Sequence, residues 1–516
     1  MNRSAQQLTA DPRTRTALIA AIAAFPALKF VYVAFSRLRY PWDLEWLEGQ
    51  CMEMAHRFAQ GLPLYTPPSV HHVALPYFPL YFVVTGLIYR AAGVSYWAGR
   101  LVSTLATLAT GGIVFWVVRR TVRQLAPAMI AAGLWFAAYG FSGFFYDLNR
   151  VDSLAMFFLA AAYAAAFARA GVGAGLTAGA LLAASALTKQ NHVLFVGPLL
   201  FVQLVRGDRR GAVAGAATFV ALFGAAAWLW NRESGGWFWT MTMDFVTFAP
   251  SWVRVVGFVP LYFLHFVLPC VMLLSCVVGL TGQRKWRELF GDPWLVFWAA
   301  SAAISQVMFL GHGAFSNAGM PAALGTALAT GMRWPEFVAR LERRFARGRA
   351  AAPRWVLPAL AALTIFAAYS PVASQIPSPT QWLAAERLHA LVRSQPASVL
   401  IPEFILPEAN VAAFHEMSYF DLRVRPYGKW RGPWLRQVRN ELADLRPTML
   451  LASDFVLKTH QYYTVLRGMI PTRLPDDLCV QTVTGRIVKL TQMYRPDAAV
   501  AAEPAPPASE DTEGVE

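Results

Sequence analysis

The stretch Ala17–Ser36, "ALIAAIAAFPALKFVYVAFS", carries a single charge, Lys29, along its whole length. A helix of that length covers the roughly 30 Å hydrocarbon core of a bilayer, and comparable apolar runs recur down the chain. In lipid a segment must satisfy its own backbone hydrogen bonds, so runs of this kind become helices. The chain is therefore a multi-pass membrane protein. Composition agrees: 56% of its 516 residues are hydrophobic and 15% charged, where soluble domains hold about a quarter charged. No small-residue cleavage site follows the first run, so it reads as a retained helix and not a signal peptide.

The net charge of +15 would suit nucleic acid, but no basic patch interleaved with aromatics is present. The basic residues instead fall in short clusters between apolar runs, as the positive-inside rule expects. Arg13 and Arg15 precede the first run, and Arg119, Arg120 and Arg123 follow another. Arg206, Arg209 and Arg210, then Arg284, Lys285 and Arg287, come next, and Arg340, Arg343, Arg344, Arg347 and Arg349 form the strongest group. All are expected on the cytoplasmic side. Tyr77–Gly93 conflicts with a simple count, since its crossing would place the Arg119 cluster outside. It is short, with Pro79 near its start and Gly86 inside, and reads as an interfacial helix of a first outer loop running from about Arg37 to Tyr96.

Spans then fall near 17–36, 98–118, 125–143, 153–169, 173–188, 191–205, 212–230, 257–280, 293–310, 317–332 and 355–371. The expected fold is an all-α membrane domain of about eleven spans over residues 1–371, with the N-terminus inside. After Pro371 the composition changes. "QWLAAERLHALVRS" has helical periodicity, and "SVLIP", "TMLLAS" and "GRIVKL" read as strands, giving a small extracytoplasmic α/β domain over 372–496. The Pro-, Ala- and acid-rich tail 497–516 reads as disordered. Four scattered cysteines make neither a disulfide framework nor a zinc site, although Cys51 and Cys479 would share the outer compartment. Neither a cofactor nor a metal is indicated, and the pair His71-His72 is weak evidence for one.

This topology gathers the unusual polar residues at one membrane face, where ionisable groups beside apolar spans mark function. The first loop holds Asp43, Glu45 and Glu48. Later outer turns hold Asp147, Arg150 and Asp152, then Lys189 and His192, then His312 and Asn317. Each has a plain structural alternative. Glu45 and Glu48 could be the solvated face of one helix, Asp43 and Asp152 helix caps, Arg150 a partner of Asp147, and His312 a packed histidine. Lys189 breaks the positive-inside pattern and needs an anionic partner, either a carboxylate or a phosphate. Together, carboxylates and cations at a lipid–water boundary suit a lipid-linked anionic substrate. A carboxylate acts as general base toward an acceptor hydroxyl, and the cations offset charge on a departing phosphate.

The order of these motifs resembles the GT-C superfamily of integral-membrane glycosyltransferases. It is most similar to the bacterial family 39 branch, related to protein O-mannosyltransferases and the lipid A aminoarabinose transferase. The matching pieces are "WDLEWLEG", "GLPLY", "YFPLYF", "NRVDS", "LTKQNH" and "SNAGMP", within Pro41–Leu328. The resemblance implies transfer of a sugar from a polyprenyl-phosphate donor to an extracytoplasmic glycan, lipid or protein acceptor at the bacterial cytoplasmic membrane. It implies a catalytic carboxylate in the first outer loop, Asp43 first among Asp43, Glu45 and Glu48. Asp147, Arg150, Asp152, Lys189, His312 and Asn317 are then the candidates for substrate binding. The usual adjacent Asp-Glu pair is replaced here by "DLE". A lipid-linked glycan flippase or a polysaccharide polymerase is the alternative class, but the repeated halves expected of a transporter are absent from the sequence. The charge pattern makes its own prediction: cysteine labelling should reach positions 70 and 430 from outside and position 345 only from inside. Outside labelling at position 121 would instead make Tyr77–Gly93 a span.

Overall fold

The computed structural model describes residues 12–244, 252–311, 314–347, 356–396, 398–402, 404–407, 411, 436–437, 440–441, 444–445, 447–453, 469–484 and 487–496. The first apolar run forms α1 (Pro12–Arg37). The loop after it carries α2 (Glu48–Ala59) and α3 (Leu80–Ala92), which pack on each other. At 1.5 Å per residue, the 13 residues of α3 reach about 20 Å. The apolar sequence then folds into α4 (Tyr96–Val122), α5 (Leu125–Ala137), α6 (Asp152–Ala168), α7 (Val172–Thr188), α8 (Val196–Val205) and α9 (Arg209–Glu233). A single turn, α10 (Trp237–Trp239), precedes α11 (Trp252–His265) and α12 (Val267–Gly282). The short α13 (Trp286–Gly291) leads into α14 (Pro293–Phe309), α15 (Met320–Arg347) and α16 (Val356–Ala368).

The result is an all-α multi-pass membrane architecture. Among the described residues, four helices are long and apolar enough to cross a bilayer unaided: α1, α4, α9 and the helix begun at Val356. The α11–α12 pair makes a fifth if taken as one span, and shorter apolar helices stand beside them. Two expectations change. Residues 257–280 are not one straight span, because the chain bends by 95° between α11 and α12. Pro269, in the first turn of α12, cannot donate the helical backbone hydrogen bond that would reach back across the bend to His265. The run near 317–332 continues to Arg347. Past Pro335 its sequence turns amphipathic. Arg333 pairs with Asp292 at the start of α14, and Glu336 pairs with Arg333 and Arg340 within the helix.

Small residues set a close helix–helix contact in the bundle. Gly175 and Gly179 of α7 face the backbones of Gly211 and Gly215 of α9, leaving no room for a side chain between them. Close backbone approach of this kind drives helix association where lipid gives no hydrophobic contrast.

Beyond α16, a capping box of Ser378 and Gln381 opens α17 (Pro379–Arg393). β1 (Val399–Leu400), β2 (Met449–Ala452), β3 (Met469–Arg473) and β4 (Gln492–Pro496) form a sheet in the order β1-β2-β4-β3. The β1–β2 pair is parallel and the others antiparallel. "SVLIP" and "TMLLAS" supply β1 and β2. Among its described residues, "GRIVKL" contributes the bridge of Lys489 to Gln481, and β3 and β4 lie in sequence rich in Pro and Arg, which lacks the alternation that marks a strand. The tail 497–516 lies outside the described residues. All four cysteines are free thiols, so Cys51 and Cys479 are not paired. The close α7–α9 contact makes a prediction: Gly175→Val should lower stability by about 1–3 kcal/mol, read as an earlier thermal unfolding transition in detergent.

Candidate active site

Three arginines meet the polar loops at one end of the bundle, each buried and each paired with a carboxylate. Arg37 ends α1 and clasps Asp147 through Nε and Nη2 at 2.7 and 2.6 Å. Its remaining N–H groups donate to Tyr139 Oη, the Phe144 and Gln375 carbonyls and Thr484 Oγ1. Arg100, in the first turns of α4, clasps Glu48 at 3.0 and 2.6 Å and donates to the carbonyls of Arg37, Tyr40 and Trp42. A guanidinium has five N–H donors, and in both residues all are engaged. Glu48 is equally saturated, accepting also from the amides of Leu44 and Asn149 at 2.7 Å each. These pairs hold the loop and leave nothing over for a ligand.

Arg150 differs. Nη1 donates to Glu45 Oε2 at 2.9 Å and Nη2 to Tyr77 Oη at 3.0 Å. Among the described residues Nε has no hydrogen-bond partner, and neither does Oδ2 of Asp152, 3.9 Å away. Oδ1 of Asp152 accepts from Lys189 Nζ at 2.6 Å and Asn317 Nδ2 at 2.9 Å. Lys189 thus finds a carboxylate, and among the described residues Asp152 is the one hydrogen-bond partner of its ammonium. Aromatic rings flank the guanidinium: Tyr77 and Phe145 lie 5.7 and 5.6 Å from it.

The local backbone explains this convergence. Gly143 and Phe144 both take positive φ, 67° and 63°, a costly choice for phenylalanine. They turn the chain after α5 so that Phe145–Val151 crosses the mouth of the bundle. Gly99 of α4 leaves room for the Asn149 amide, which donates to the Glu48 carbonyl. Asp152 opens α6 and Lys189 ends α7, so the 2.6 Å contact joins two adjacent helix ends.

The sequence candidates therefore separate. Glu45, Arg150, Asp152, Lys189 and Asn317 come together. Glu48 and Asp147 belong to the saturated pairs, and His312 lies outside the described residues. Glu45 and Glu48 are not a solvated face, being 4% and 0% exposed, and Glu45 precedes α2. Asp43 and Asp152 are not caps: Leu47 and Val151 occupy the positions before α2 and α6, with no side-chain cap. Arg150 does not pair with Asp147. Asp43 is fully buried, and neither of its oxygens accepts a hydrogen bond from the described residues. Burial, then the charge of Glu48, raises its carboxyl well above the ordinary range. Burial also pushes Glu45 up to about 7, against the pull of Arg150. His192 packs its Nδ1 on Ser185 Oγ at 2.7 Å, and burial pushes the His72 imidazole down to about 3. Among the described residues no three His, Cys, Asp or Glu side chains converge as metal ligands. Sequence reasoning missed Arg37, Arg100 and Tyr77. The first two carried a usable signal, since they too are cations at the ends of spans that break the positive-inside pattern.

The helix order is that of a multi-pass membrane protein, and the fold as a whole has a counterpart among solved structures. Among solved structures the chain is similar to ArnT from Cupriavidus metallidurans bound to undecaprenyl phosphate, with a TM-score of 0.50 and 13% identity over 93% of this chain and 100% of that one. The apo state of the same protein gives a TM-score of 0.51 and 15% identity over 93% and 99%. No protein-family model and no curated protein matches the sequence. The saturated Glu48–Arg100 pair makes a prediction: Arg100→Met leaves a buried carboxylate unpaired and should cost about 3–5 kcal/mol. Thermal unfolding of the detergent-solubilised variant measures this, and a near-native transition would show that the pair is dispensable.

Proposed function

We propose that the chain is a glycosyltransferase of the bacterial cytoplasmic membrane that moves a sugar from a polyprenyl-phosphate donor to an extracytoplasmic acceptor. The observation that carries this is the spare donor capacity of Arg150 and Lys189 beside a carboxylate near neutrality. The fold shared with a protein that binds undecaprenyl phosphate supports it. Arg150 Nε and the free N–H groups of Lys189 are placed to receive the oxygens of a lipid-borne phosphate. Charge-assisted hydrogen bonds of this kind are the strong ones. They stabilise the negative charge that grows on the phosphate as the bond between the anomeric carbon and the phosphate oxygen breaks. The acceptor oxygen forms the new bond to that carbon and gives its proton to a carboxylate of the first loop.

We assign that proton to Glu45 and not to Asp43. Glu45 keeps one oxygen outside its bonds to Arg150 and the Leu47 amide, and its affinity for a proton near 7 suits a base working near neutral pH. Asp43 has no exposed atom through which an acceptor could reach it. The same reading takes the membrane part as about eleven spans with the N-terminus cytoplasmic. It also takes 372–496 as a small extracytoplasmic α/β unit and the chain as a member of the family 39 branch.

The test is transfer by purified protein in nanodiscs, supplied with a panel of polyprenyl-phosphate sugars and cell-envelope acceptors. Glu45→Gln should lower the rate about 10²–10⁴-fold. The wild-type rate should fall as pH drops through about 7, where Glu45 takes up its proton. If Asp43→Asn collapses transfer while Glu45→Gln spares it, the base is Asp43. If neither matters, the mechanism is wrong.

A further inference from the structure

Helix α9 ends on a carboxylate. Glu233 is its last residue, where the negative end of the helix dipole disfavours an anion. Among the described residues it enters no ion pair and accepts no hydrogen bond. It lines a cavity of about 280 Å³ together with Arg90, from the last turn of α3. Arg90 stacks on Phe58, 5.0 Å from the ring, and commits Nε and Nη2 to the carbonyls of Ala59 and Phe58. Nη1 lies outside those bonds. Two opposite charges thus share one cavity and do not pair with each other. The neighbouring cations are engaged elsewhere: Arg232 stacks on Trp228 at 5.3 Å, and Arg57 Nε donates to the Pro63 carbonyl.

The surroundings are those of lipid. Leu222, Ala226, Leu229 and Glu233 recur every third or fourth residue and so share one face of α9. Leu222 and Leu229 are each 48% exposed, on a helix long and apolar enough to cross a bilayer. Apolar side chains exposed on a span meet acyl chains. Trp228 and Trp230 stand at the end of that span, the headgroup level where indoles gather. The cavity is smaller than the roughly 300–1,000 Å³ of sites for whole drug-sized ligands, a size that suits a headgroup with its chains left outside.

From these placements we infer that the cavity holds the headgroup of phosphatidylethanolamine, its phosphate on Arg90 Nη1, its ammonium on Glu233 and an acyl chain along Leu229 and Leu222. The site is separate from the cluster around Glu45 and stands whether or not the transfer reaction proposed above is right. A headgroup that carries both charges answers both residues with charge-assisted hydrogen bonds. Phosphatidylglycerol would answer Arg90 but bring a second negative charge to Glu233. Phosphatidylcholine has a cation without an N–H, so it has nothing to donate to the carboxylate.

The test is native mass spectrometry of the full chain in detergent, titrated with the three phospholipids carrying identical acyl chains. Phosphatidylethanolamine should be retained about tenfold more tightly than either of the others, a difference of about 1.4 kcal/mol. Glu233→Gln should erase the preference over phosphatidylglycerol, and Arg90→Gln should weaken retention of every phospholipid. Arg120→Gln, which removes a charge at the opposite end of the bundle, should leave the preference intact. Each variant is first shown to keep the wild-type thermal transition, and Glu233→Gln, at an exposed position, decides the matter if Arg90→Gln does not. Retention of phosphatidylglycerol or phosphatidylcholine equal to that of phosphatidylethanolamine overturns the inference. So does a preference that survives Glu233→Gln or is lost equally in Arg120→Gln.

Discussion

The Glu48–Arg100 pair is the interaction on which this end of the molecule depends. A bare carboxylate or guanidinium at full burial is strongly unfavourable, and an ion pair offsets that only when every remaining donor and acceptor is also satisfied. Here they are. Arg100 binds three successive stretches of the loop entrance at the carbonyls of Arg37, Tyr40 and Trp42. Glu48 binds Leu44 ahead of it and Asn149 across from it. One pair thus fixes where α1 ends, where α2 begins and how the turn after α5 crosses between them. Glu45 and Arg150 owe their positions to this frame without being part of it.

The same two residue types therefore perform two tasks a few ångströms apart, and hydrogen-bond count separates them. Arg37 and Arg100 spend every N–H on the protein, and a ligand would have to break those bonds to be held. Arg150 meets Glu45 and Tyr77, but among the described residues its Nε is unanswered, opposite an equally unanswered Asp152 oxygen. Buried groups left in that state are costly, and they persist in folded proteins where something else completes them during function.

Much of this was legible in the sequence, for reasons that can be stated. Apolar runs of bilayer length can do little but form helices, so the helices fall where hydropathy puts them. The convergence of Arg150, Asp152, Lys189 and Asn317 followed from charges placed against the topology. What did not follow was which carboxylate meets which cation. Asp147 and Asp152 are both close to Arg150 in sequence, yet the turn through Gly143 and Phe144 hands Asp147 to Arg37, 110 residues away. Nor could spacing reveal that Asp43, two residues from Glu45, is sealed inside. That burial comes from Tyr96 and Ile405, whose side-chain hydroxyl and carbonyl meet at 3.2 Å, and from the C-terminal part against which Trp42 packs at Phe404. Such contacts have no local sequence signature.

The first loop is also fastened by the far end of the chain. The amides of Val483 and Thr484 donate to the Leu44 carbonyl at 3.0 and 2.8 Å, and Arg37 reaches Thr484 across 447 positions. During synthesis the helices enter the membrane in order, but these ties form only after Val483 and Thr484 have left the ribosome. A nascent or prematurely terminated chain would hold its bundle with the loop beside Glu45 still unfastened. The surroundings of Glu45 and Arg150 are thereby completed late, after the bundle that carries them has formed.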